Sequence, residues 1–82
     1  MEQSLEANFS VLVMSIASSA AMSMGLAADP QTGKTEKNKN MAKFNIDLLV
    51  MLQNKTLNNL NGEEKHFIDS VVSDLQMKFV HM

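Results

Sequence analysis

Between Glu6 and Asp29 the chain carries no charged side chain at all. A stretch of that length must form an element that hides most of its circumference. The apolar residues within it fall on a helical period, and Asn8-Phe9-Ser10 supplies two residues able to cap a helix start. Gly25 stands where a left-handed residue past a helix end belongs. The spacing predicts a helix over about residues 8–24. On a wheel of about 100° per residue, Phe9, Val13, Ile16, Ala17, Ala20 and Met24 share one side. Ser15, Ser18, Ser19 and Ser23 share the other, with Val11, Leu12 and Met22 among them. A solvated helix face normally shows Lys or Glu, and this one shows neither. Ser15, Ser19 and Ser23 recur every fourth residue, as do Ala17, Ala21 and Gly25, and small residues at that spacing let another helix approach closely.

An uncharged segment of this kind can be a secretion signal, a membrane span or a buried helix. The residues before it include Glu2 and Glu6 and no basic side chain, which opposes a signal peptide. Five serines and Asn8 oppose a span, as does the lack of a flanking positive cluster. The expectation is therefore the central helix of a helical assembly. Its serine side, with Ser15, Ser18, Ser19, Met22 and Ser23, would meet a second copy of the chain. Anchoring of this helix to a membrane is the alternative.

Downstream, Ala28-Asp29-Pro30-Gln31-Thr32-Gly33-Lys34 reads as a turn, with Pro30 fixing φ and Gly33 free to take positive φ. Residues 26–40 form a polar turn and loop. A second helix is predicted over about 41–56, capped by Asn38 or Asn40. It carries two apolar stripes, one of Ala42, Ile46, Leu49 and Leu52, the other of Phe44, Leu48 and Met51. Two stripes imply two neighbours, so Phe44, Leu48 and Met51 join the candidate interface between copies. A third helix over about 62–80 begins with Asn61 three residues before Glu64, the spacing of a capping box. Phe67, Ile68, Val71, Val72, Leu75 and Phe79 form its inner face, and Lys65, Asp69, Ser73, Asp74, Gln76 and Lys78 its outer one. The expected fold is all-α: one domain over 1–82, a small three-helix bundle completed by self-association.

Composition narrows the function. With 82 residues and no cysteine, the chain has no disulfide staple, thiolate metal site or thiol nucleophile. That favours a reducing compartment, and the expected location is the cytoplasm. All seven basic residues are lysine, and the four aromatics are all Phe. Arginine forks and stacking platforms are thus missing, which argues against nucleic acid as a partner. The eight methionines suit either flexible core filling or an adaptable binding surface.

No reactive constellation emerges. His66 and His81 lie about 22 Å apart along one helix and cannot share a metal. Asp47, within the second helix, is placed to pair with Lys43 one turn earlier. A catalytic site would have to assemble across subunits, around Ser15, Ser19 and Asp47. The four lysines between Lys34 and Lys43 fit a solvated loop better than an anion site. No catalytic residue, metal or cofactor is expected. The expected role is that of a non-catalytic adaptor or subunit, bound to itself and to a further protein partner.

Three ordered series of residues resemble an uncharacterised bacterial family, domain of unknown function eighteen forty-four. They are Phe9-Ser10, Ser15-Ile16-Ala17-Ser18-Ser19-Ala20 and Gly25-Leu26; the Asp29-to-Lys34 turn with Ala42-Lys43, Ile46-Asp47, Leu49, Met51-Leu52 and Lys55-Thr56; and Leu60, Glu63-Glu64, Leu75, Met77-Lys78 and Phe79-Val80. The likeness implies a small bacterial cytosolic protein and supplies no activity. Phe44, Leu48 and Val50 stand where that pattern has polar residues, and Gln76 where it has arginine. The first three add apolar surface peculiar to this chain.

Overall fold

The computed structural model describes residues 8–82, so the first seven positions of the expected 1–82 domain lie outside the described residues. Three α-helices follow in order: α1, Phe9–Ser23; α2, Lys39–Lys55; and α3, Gly62–Val80. No strand occurs among the described residues, apart from an isolated antiparallel bridge between Met24 and Lys37.

Each helix is started by an asparagine. The Asn8 side chain accepts from the Val11 amide at 2.9 Å and that of Asn38 from Met41 at 3.0 Å. Asn61 and Glu64 form the reciprocal box, with bonds of 2.8 and 3.0 Å. These bonds satisfy amides that have no partner within their own helix. Helix α2 begins two residues earlier than the periodicity indicated, at Lys39, because Asn38 and not Asn40 caps it. The reason is non-local. The Asn38 amide donates to the Ser23 carbonyl at 2.7 Å and so ties the start of α2 to the end of α1.

Gly25 has φ +76° and turns the chain out of α1. A Cβ there would come within 2.9 Å of the Lys37 side chain, so both the backbone angle and the space require glycine. In the following turn the Asp29 carboxylate accepts from the Gln31 amide at 2.8 Å, and Gly33 takes φ +71°.

The core is made of Val13, Ala20 and Met24 from the first helix and its end, Ala42, Ile46 and Leu49 from the second, and Ile68, Val72 and Leu75 from the third. Phe9, Ile16, Ala17, Leu52, Phe67, Val71 and Phe79 pack around them. Full burial of side chains such as Leu49, Ile68 and Val13 stabilises the fold by about 1.5–3 kcal/mol each. The inner faces expected of all three helices are therefore the ones that are buried. Every helix touches the other two, and α1 with α2 is the most extensive pairing. Helix α3 is joined to α2 by a bond from Gln53 to Asp69 at 2.9 Å, and by the Lys39 ammonium 5.7 Å from the Phe79 ring centre.

The Cα envelope measures 40 × 37 × 15 Å. A thickness of 15 Å is about that of two helices in contact, with axes about 8–10 Å apart. Among the described residues the fold is thus a slab about two helices deep.

Candidate functional site

The residues on the outer flanks of α1 and α2 form the least ordinary surface of the molecule. On α1, Val11, Leu12 and Met14 are close to half exposed, and Ser15 and Ser18 are exposed. On α2, Phe44 is 54% exposed and Met51 50%. Leu48, between them, is half-buried, as are Ser19, Met22 and Ser23 on α1. The eight positions singled out from the sequence thus lie on outward or flanking surfaces, and none of them is in the core.

The two flanks form one surface. Ser19, Met22 and Ser23 border a shallow groove of about 370 Å³ together with Met41 and Asn45 from α2 and with Asp29, Thr32, Lys34, Glu36 and Asn38 of the connecting segment, so its apolar side meets a charged one. Met41, Phe44, Leu48 and Met51 then follow at steps of three, four and three residues, which aligns them along α2. Ser15 and Ser18 do not border the groove; they flank a separate depression with Ser10, Val11 and Met14.

The serines are less polar than their names suggest. The Ser15 hydroxyl donates to the Val11 carbonyl at 2.9 Å, Ser19 to the Ser15 carbonyl at 3.2 Å, and Ser23 to the Ser19 carbonyl at 2.8 Å. Each hydroxyl proton is therefore used within its own helix, one turn back. A partner covering Ser15, Ser19 and Ser23 would leave none of these three hydroxyl donors unsatisfied, which lowers the cost of removing them from water.

Asn45 was not apparent from the apolar pattern, yet it is buried at 6% exposure. Its amide nitrogen donates to the Met41 carbonyl at 3.0 Å and reaches the Ser23 hydroxyl oxygen at 3.5 Å. The signal was its register: it stands three residues after Ala42 and four before Leu49, on the inner stripe. A polar group there needs partners, and the end of α1 provides one.

The methionines are placed on the surface rather than in the core. Of the seven described, only Met24 is buried; Met14, Met41, Met51 and Met77 are exposed and Met22 and Met82 half-buried. Flexible core filling therefore does not account for them. Leucine, isoleucine, valine and alanine fill the interior.

The remaining polar candidates are dispersed. His66 borders a depression with Ser10, Glu63, Glu64 and Ser70, and His81 a different one with Met24, Met77 and Met82. Among the described residues, no three of His, Cys, Asp and Glu gather around one point. Lys43 pairs with Asp47 at 2.8 Å, as its spacing suggested. The lysines of the loop separate: Lys37 lies against Gly25 and Lys39 over Phe79. Asp69 accepts from Lys65 and from Gln53, and these two bonds, the Lys65 one foremost, hold its carboxyl below the usual range. No described helix is long and apolar enough to cross a membrane.

Neither a curated protein nor a solved structure gives a significant match to the chain. A family model does, over residues 6–81, which is essentially the whole length. Its span takes in all three helices and both connecting segments. The chain belongs to the family described as Domain of unknown function (DUF1844).

Proposed function

We propose that this chain is a non-catalytic interaction protein, a helical subunit that pairs with a second copy of itself through the outer face of α1 and α2 and serves as an adaptor or subunit in the cytoplasm. The observation that carries it is the uncharged outer flank of α1, which continues into the apolar line Met41, Phe44, Leu48 and Met51.

The test is a solution mass by light scattering or sedimentation, over a range of micromolar concentrations. The expected mass is a multiple of 9.1 kDa, falling to that of one chain in Ser19→Glu. A wild-type chain that stays monomeric throughout would overturn the proposal. A membrane is the other occupant that the same face could take, since α1 exposes Val11, Leu12 and Met14 without a charge. Co-sedimentation of a monomeric chain with phospholipid vesicles, lost in Leu12→Glu, would establish that occupant instead.

A further inference from the structure

We infer that Met41 and Met51 are oxidation sites through which a peroxide controls assembly. The inference rests on the self-pairing proposed above, and supplies its regulation.

The chain has no cysteine, so methionine is its only sulfur. That sulfur lies where packing does not require it. The core is aliphatic apart from Met24, at 3% exposure. Met41 and Met51 are 46% and 50% exposed, and they bracket Phe44 and Leu48 on the outer line of α2. The spacing 41, 44, 48, 51 is that of a seam between two helices, in which each side chain seats between residues of the facing helix. Leucine would fill such a seam at similar volume. Thioethers differ from leucine in two respects: they adapt to irregular partners, and they react with oxidants.

The reaction needs only a peroxide, hydrogen peroxide being the simplest. The thioether sulfur attacks one peroxide oxygen, and a sulfur–oxygen bond forms as the oxygen–oxygen bond breaks. The proton on the transferred oxygen passes to the departing hydroxide, which leaves as water. The sulfur is oxidised by two electrons to a sulfoxide, and the peroxide is reduced by two. The product carries a strongly polar oxygen in the middle of an apolar line. The hydroxyls of Ser15, Ser19 and Ser23 cannot serve it without giving up their own bonds to the carbonyls of Val11, Ser15 and Ser19. Burying an acceptor without a donor is unfavourable, so an oxidised chain pairs less well. Attack falls on the free subunit, in which both sulfurs face solvent, and enzymatic reduction of the sulfoxide restores the seam.

The molecule contains its own controls. Met24 is shielded, and Met77, at 66% exposure, lies on α3 away from the line. Hydrogen peroxide is added to the full chain at concentrations spanning its dissociation, and sites are assigned by peptide mass spectrometry while solution mass is followed. Sulfoxide is expected at Met14, Met41, Met51 and Met77 and not at Met24. The pairing should weaken by about tenfold or more. In a Met14→Leu background, which removes the equally exposed sulfur of α1, the added changes Met41→Leu and Met51→Leu should pair normally and keep the mass under peroxide, while Met77→Leu alone should respond as wild type does. A chain that carries sulfoxide at both positions and still pairs as before overturns the inference and leaves the self-pairing intact. So does a chain in which Met77 converts and Met41 and Met51 do not. An untreated chain that never pairs overturns both.

Discussion

Helices α1 and α3 bury similar aliphatic faces and differ almost entirely in what they turn outward. Helix α3 presents Lys65 paired with Asp69, and Asp74 paired with Lys78, at 2.8 and 2.9 Å. Helix α1 presents serines, Val11, Leu12 and Met14 and no charge. The ion pairs on α3 add little stability, since exposed pairs of this kind contribute about 0–1 kcal/mol. They hold that face in water instead. The charged face of α3 is thus suited to stay in water, and the bare flank of α1 is the one proposed above to be covered.

The largest effect that would break this contrast comes from adding one negative charge to each helix. Ser19→Glu places a carboxylate in the proposed interface, where an unpaired buried charge costs about 3–5 kcal/mol. The expected outcome is a monomer in sedimentation. Ser73→Glu on α3 should change stability by no more than about 0.5 kcal/mol and leave the mass alone. Equal responses at the two positions would erase the distinction.

Next in size is Leu75→Ala. Leu75 is buried in the three-helix core, and its truncation should cost about 2–5 kcal/mol in chemical denaturation. Because the core lies within one chain, the loss should appear even in the Ser19→Glu background. Smaller again is Asn61→Ala, which removes the side-chain acceptor of the Glu64 amide, keeps the backbone amide that donates to the Glu64 carboxylate, and should cost about 1 kcal/mol. The smallest is a pH effect. The Asp69 carboxyl is held below its ordinary value by Lys65 and Gln53. Its contribution is therefore present above the ordinary carboxylate pKa and disappears as pH falls through the lower folded value. Asp69→Asn should flatten the acid limb of stability slightly, as read by thermal melts between neutral and acid pH.

Much of this arrangement was legible in the residues, and the exceptions have physical causes. The inner face of α1 followed from a single period, because its two sides differ in kind. The α3 cap followed from two residues three apart. Helix α2 was harder, since both of its stripes are apolar; with Phe44, Leu48 and Met51 assigned outward from the sequence, packing leaves Phe44 and Met51 exposed and Leu48 half-buried and turns Ala42, Ile46 and Leu49 inward. The α2 start and the role of Asn45 depend on Ser23, far back in the chain, and no local window contains both partners. The methionines left two readings open because a thioether suits an interior and a surface equally well.

The hydroxyl ladder on α1 also bears on how that flank meets solvent. With its hydrogen already turned toward the carbonyl one turn back, each of Ser15, Ser19 and Ser23 offers passing water only lone pairs. The one donor among the three hydrogen-bonding sites that keep an ordinary serine hydrated is thereby taken. In wetting, the row behaves more like alanine than a residue-by-residue hydropathy scale allows, and the oily character of this helix is greater than its composition suggests.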